Sequence, residues 1–181
     1  MESAALGKDD AVALSAAGIT FAYVVGDLDD GAALAERALA LNPNLAIAWL
    51  YWGWAKVWLG EIDSALDCLA KAMRLSPHDP QVFNMQAAAA VAHFFAGRHA
   101  EAAALAEKAL RDQPNYLLAA SALAAGSAMA GRQAEAQRAV ARIQQLDRHL
   151  RLSNLPDLFA IRKPEHFGAW KDALRKAGLA E

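Results

Sequence analysis

Residues Ala46 to Gly60 read AIAWLYWGWAKVWLG and hold four of the five tryptophans of the chain. The stretch predicts a single helix. Trp49 and Trp52 stand three positions apart and Trp54 and Trp58 four apart, so the two pairs project from different faces of it. Trp49 and Trp52 are expected to enter the core of a helical hairpin. Trp54 and Trp58 are expected on a second face, which forms a binding groove if nothing covers it.

The flanks of this helix repeat along the chain. Pro43, Pro77 and Pro114 lie 34 and 37 residues apart, each after an alanine-rich run: AERALALNP, LAKAMRLSP and AEKALRDQP. A glycine stands 17 residues before each proline, at Gly26, Gly60 and Gly97, and Gly131 follows Gly97 by 34. A period of this size belongs to stacked supersecondary units, each unable to bury both apolar faces alone. Alanine is the strongest helix former, so the composition points to closely packed helices and away from strands.

These residues resemble the tetratricopeptide repeat (TPR), a 34-residue helix-turn-helix. In Ala46–Asp79 the pattern positions hold Trp49, Trp52, Gly53, Ala65, Leu69, Ala72 and Pro77, with Lys56 standing where the family usually has an aromatic. The resemblance implies an all-α TPR solenoid of about four hairpins, at 12–45, 46–79, 83–116 and 117–150, behind a leader at 1–11. The first unit carries Gly31 where alanine is expected, and the last carries Arg148 where proline is expected. Residues 80–82 are an insertion, expected to lengthen the following helix by nearly a turn. Asp79 is expected to cap that helix, and Asn44 and Asn115 to cap the helices after Pro43 and Pro114. The remaining residues, 151–181, form a tail. There Pro164 can open a capping helix with Phe167, Trp170, Leu174 and Ala177 at helical spacing, and Gly178 can end it. Leu155, Leu158, Phe159 and Ile161 before it need an apolar place to go.

The segments SPHDP (76–80), HFFAGRHAEAAALAEKALRDQPNY (93–116) and KPEHFGAWKDALRKAGLAE (163–181) also look like the C-terminal TPR region of bacterial class III adenylate or guanylate cyclase-like proteins and winged-helix regulators. This implies a regulatory signalling module, separate from any cyclase catalytic domain.

Charge and composition narrow the partners. A net charge of -2 offers no electrostatic footprint for a phosphate backbone, so nucleic acid is not an expected partner. The longest apolar runs fall short of the roughly 20 residues a membrane span needs, and no membrane partner is expected. The acidic start MESAALGKDD has no apolar core of signal-peptide length, and the single cysteine, Cys68, fits a reducing compartment. A cytoplasmic location is expected.

Chemistry finds little support. Ser76, His78 and Asp79 are neighbours in a turn and cannot readily converge as a triad. Asp27, Asp29, Asp30 and Gly31 depart from calcium-loop spacing and read as a helix start. His93 and His99 lack metal-ligand companions. No enzyme and no cofactor are expected.

In the TPR family the first helices of each pair line the binding surface. Carried over by resemblance, those positions include Tyr23, Leu50, Trp54, Val91 and Phe94, with Trp58 beside them, an apolar and aromatic wall suited to an amphipathic helix of a protein partner. The basic clamp by which some TPR co-chaperones hold a C-terminal carboxylate is missing from it. Two other occupants stay open: a second copy of the chain, giving a homodimer, and the chain's own tail through 155–161.

Overall fold

The computed structural model describes residues 10–157 and 159–181. Most of the expected leader, and Leu158, lie outside the described residues. Among those described there are nine α-helices and no strand. The helices are α1 (Ala11–Thr20), α2 (Leu28–Leu41), α3 (Ala46–Leu59), α4 (Ile62–Leu75), α5 (Val82–Phe95), α6 (His99–Asp112), α7 (Leu117–Met129), α8 (Gln133–Leu146) and α9 (Pro164–Ala177). A π-helical turn, Phe21–Val25, continues α1, and a short 3-10 turn spans Leu155–Asp157. The all-α fold of helix pairs with a C-terminal capping helix is the one expected.

The chain divides into two compact units, one ending at Met85 and one running from Gln86 to Glu181. In the first, α1 packs on α2 and α3 on α4, with α3 also against α1 and α2. Asp10 caps α1, its carboxylate accepting from the amides of Val12 and Ala13, and Asp27 caps α2 by accepting from Asp30 N at 3.0 Å. The acidic run at 27–31 is therefore a helix start. Gly31 has a steric reason: a Cβ there would lie 2.7 Å from the carbonyl oxygen of Gly18, where α1 and α2 meet backbone to backbone. The alanine expected at this repeat position does not fit. The periodic glycines 26, 60, 97 and 131 all have φ between 74° and 81°, the left-handed conformation that ends the first helix of each pair at little strain.

Two local expectations need correction. The insertion does not lengthen α5, which has 14 residues like α3. Instead Asp79 holds residues 80–81 in a turn, accepting from Gln81 N through its carboxylate and from Val82 N through its carbonyl, so the extra residues are absorbed before the helix starts. Asn44 and Asn115 do not cap their helices either. The turns after Pro43 and Pro114 run one residue further, so Leu45 and Tyr116 occupy the N-cap positions, and neither helix start is capped by the side chain there. Asn115 instead accepts from Arg142 Nη2 at 2.8 Å.

In the second unit α7 is central, packing on α6, α8 and α9. It is nearly all small residues (LLAASALAAGSAM), which lets three helices approach it closely. A Cβ at Gly126 would sit 3.0 Å from Ala103 N and 3.1 Å from His99 O. Helix α9 opens on Pro164 and ends at Gly178 in the left-handed conformation, with Trp170, Ala173, Leu174 and Ala177 buried. Gln133 Nε2 donates to the Lys176 carbonyl at 2.8 Å, and Leu152 N to the Ala180 carbonyl at 2.9 Å, fastening both ends of the tail.

Candidate interaction surfaces

In the first unit the aromatic residues form a ladder. The Trp54 and Trp58 rings stack with centroids 5.6 Å apart and an interplanar angle of 22°, and Tyr23 lies 5.4 Å from Trp58. Trp54 is 4% exposed and Trp58 7%, while Tyr23 is 48% exposed. The Trp54 indole N–H donates to Asn84 Oδ1 at 2.9 Å, satisfying the one polar atom its burial takes from water. Leu50, on the same helix, is fully buried. Trp54 and Trp58 are thus covered, contrary to the expectation of an open face.

Of the other pair, expected in the core, Trp52 is buried and Trp49 is not fully so. Trp49 is only partly buried, donating Nε1–H to the Pro43 carbonyl at 2.8 Å with Lys71 Nζ 4.0 Å over its ring. Trp52 is buried with Ala35, Ala55 and Cys68. Lys56, where an aromatic was expected, lies 4.3 Å over the Trp52 ring and reaches Glu61 at 2.7 Å, so its aliphatic stem covers apolar surface and its charge is paired.

The outer end of the ladder stays exposed, as do Leu41 and Leu75 elsewhere in the unit. Val12, Phe21, Tyr23 and Val24 are exposed large hydrophobics within α1 and its π turn, Val24 at 74%. Hydropathy alone missed Phe21 and Val24, because a run such as FAYVV reads as interior when no helix face is assigned to it.

In the second unit the tail covers the wall. Val91 and Phe94 are buried. Phe94 meets the Trp170 ring edge-on at 5.0 Å, Phe95 approaches it at 5.9 Å, and Phe159 packs on it at 5.6 Å. The apolar positions expected to receive a partner are filled by the chain's own capping helix, because Trp170 offers the large apolar surface they need. Beside this cluster a cleft of about 460 Å³ is lined by Phe94, Phe95, His99, Met129, His166 and Lys176, among others. His166 stacks on Phe95 at 4.5 Å and 8°, and His99 lies 5.2 Å from Phe94. The Nδ1 atoms of His93, His99 and His166 are buried without a hydrogen-bond partner. Burial holds the His93 and His166 imidazoles below their ordinary value of 6.5, with Arg98 and Lys163 respectively adding to the effect. His166 carried no signal in the sequence, since its pairing with Phe95 depends on where α9 docks.

For chemistry the arrangement offers little. No group of three or more histidines, cysteines and carboxylates that could hold a metal is found among the described residues. Ser76 ends α4 and Asp79 donates its amide to the Ser76 carbonyl, a turn geometry. Burial raises the Cys68 thiol above its ordinary value, which makes it a poor nucleophile. No helix among the described residues is long and apolar enough to cross a membrane.

This is the architecture of TPR-type helix pairs. Residues 25–89 match the family model described as tetratricopeptide repeat. Among solved structures, "MamA AMB-1" superposes with a TM-score of 0.62 at 27% identity over 78% of this chain and 82% of that one. A thermophilic TPR protein of Thermus thermophilus gives 0.67 at 18% identity, over 93% of this chain and 83% of that one. PilW, described as a widely conserved type IV pilus biogenesis factor, gives 0.71 at 18%, over 93% and 75%. No curated protein matches the chain in sequence.

Proposed function

We propose that this chain is a protein–protein interaction module without catalytic activity, taking an amphipathic helical segment of a protein partner against the aromatic ladder of its first unit. The observation that carries this reading is the ladder's asymmetry: Trp54 and Trp58 are buried and stacked, while Tyr23 at its end is half exposed, with Phe21 and Val24 exposed next to it in sequence. Contiguous exposed apolar side chains on a folded domain mark interfaces, and aromatic anchors backed by packed side chains carry most of an interface's energy. A π turn at this point supports the reading, since such turns are frequent at functional sites. Helix-pair repeat proteins as a class present extended surfaces for binding.

Of the six residues first expected to make contact, Tyr23 does so directly in this proposal, with Trp58 and Trp54 behind it. Leu50, Val91 and Phe94 support the fold. A regulatory role in a cyclase-like or winged-helix signalling context belongs to the proposal and rests on the sequence motifs at 76–80, 93–116 and 163–181, and a cytoplasmic location belongs to it on the single cysteine, Cys68. Nucleic acid, membrane and cofactor have no part in it.

The test is a double substitution, Tyr23→Ala with Val24→Asp. Partner proteins retained by the wild-type chain are expected to be lost with helicity unchanged, and retention of the same set by the variant moves the site elsewhere. The second reading, self-association through the same patch, is favoured by the same exposed residues. It predicts a solution mass that rises towards two chains with concentration and stays at one chain in the variant.

A further inference from the structure

We propose that the seat of α9 is an acid-released latch: the His166 imidazole, stacked on Phe95 inside the cleft, holds the capping helix closed while neutral, and proton uptake loosens α9 and uncovers the aromatic wall of Phe94 and Phe95. This goes beyond the interaction proposed for the first unit and stands independently of it.

The geometry supplies the coupling. His166 lies one turn before Trp170, the residue that seats α9 against Phe94, Phe95 and Phe159, so the imidazole and the anchor share one helix face and one receiving surface. The ring is nearly parallel to Phe95 at 4.5 Å, and its Nδ1 is buried without a partner. Two effects act on the protonated ring. The face of Phe95 attracts a cation. Against this, both nitrogens of an imidazolium are donors, and one of them is already enclosed with no acceptor. Desolvation of a charged donor outweighs attraction to one phenyl face. The surrounding charges leave that balance in place. Lys163 and Glu165 flank His166 on its own chain segment with opposing effects, the lysine acting more strongly. Lys176 and Asp172 also line the cleft from α9, and Asp172 is engaged by Arg175 Nη1. From α6 the cleft receives His99, a second imidazole with a buried, unpartnered Nδ1. From α5 and α7 it receives Phe94, Phe95 and Met129, none of them charged. On α5, His93 answers to Arg98 and Glu101. Among the described residues no carboxylate is hydrogen-bonded to the His166 ring.

The direction follows from linkage. A ring held below its ordinary value of 6.5 when docked takes up a proton more readily once α9 is released. Docking is at full strength above 6.5 and weakens as the pH falls below it, by at most about tenfold per pH unit for one group.

Hydrogen exchange followed by mass spectrometry on the full chain, reading the peptide that spans 164–177, tests this at about pH 7.5 and about pH 5.5. After correction for intrinsic exchange, protection of α9 in the wild type is expected to fall severalfold at the lower pH, while peptides of α3 and α4 hold theirs. His166→Phe keeps a ring on Phe95 but cannot titrate, and is expected to abolish most of the fall. Unchanged wild-type protection at the two pH values overturns the latch. So does a fall of the same size in His166→Phe, or one that disappears only in His99→Gln. Should His166→Phe lose helicity, His166→Gln serves as the non-titrating variant, and the wild-type comparison decides without either.

Discussion

The indole N–H of Trp54 donates to the side-chain oxygen of Asn84 at 2.9 Å, across 30 positions of sequence. This bond joins α3 to the first turn of α5 within the first unit and lets a tryptophan be buried at a position where the repeat pattern expects exposure. The ring's other attachment is Trp58, and through it Tyr23.

Trp54→Ala is therefore expected to cost about 3–5 kcal/mol, as deletion of a buried aromatic does. Trp49→Ala is expected to cost less, about 1–2 kcal/mol, because Trp49 is partly exposed and its cation–π contact with Lys71 lies at the surface. A denaturant titration of the two variants gives the order; equal losses contradict it.

Gly31→Ala separates sterics from propensity. In an open helix the change gains about 1 kcal/mol. Here the new Cβ meets the Gly18 carbonyl at 2.7 Å and Ala22 Cβ at 2.9 Å, and the first of these is backbone that cannot rotate away. A net loss of about 1–3 kcal/mol is expected. Gly168→Ala in α9, with nothing within 4 Å of the added atom, is expected to gain about 0.5–1 kcal/mol. Thermal midpoints that move in opposite directions confirm the pair.

Trp170→Ala removes the ring shared by Phe94, Phe95 and Phe159. The expected cost is about 3–5 kcal/mol, with exchange protection lost first in 164–177. Uniform loss of protection along the chain contradicts a local anchor.

Cys68 is buried, and desolvation raises its thiol above the ordinary value. An aromatic disulfide reagent near neutral pH is expected to modify it slowly in the folded chain and at once in denaturant. Immediate modification of the folded chain contradicts the packing of α3 on α4.

The fold was legible because its signals are local: a period set by Gly26, Gly60 and Gly97 with Pro43, Pro77 and Pro114, alanine-rich helices, and a tail helix bounded by Pro164 and Gly178. Each depends only on backbone conformation or helical spacing. The sites were less legible because they depend on which side chains meet. Spacing put Trp54 on a face separate from Trp49, but whether that face is open is decided by Asn84 and Tyr23, each about 30 residues away in sequence. Tail filling of the wall in the second unit was one of the occupants left open. Phe159 takes part in it from the 155–161 segment, yet the seat itself is taken by Trp170 of α9. His166 had no sequence signal because stacking on Phe95 follows from docking.

In the proposed interaction a partner segment sits on the exposed end of the Tyr23–Trp58–Trp54 ladder. The most direct test places a photo-crosslinking phenylalanine derivative at position 23 in the full chain and, separately, at Glu107 on the exposed face of α6. Irradiation in the cell is expected to give discrete adducts at position 23 that are absent at 107 and suppressed by Val24→Asp, with an adduct at twice the chain mass identifying a second copy. No adduct at position 23 beyond that seen at 107 contradicts the claim.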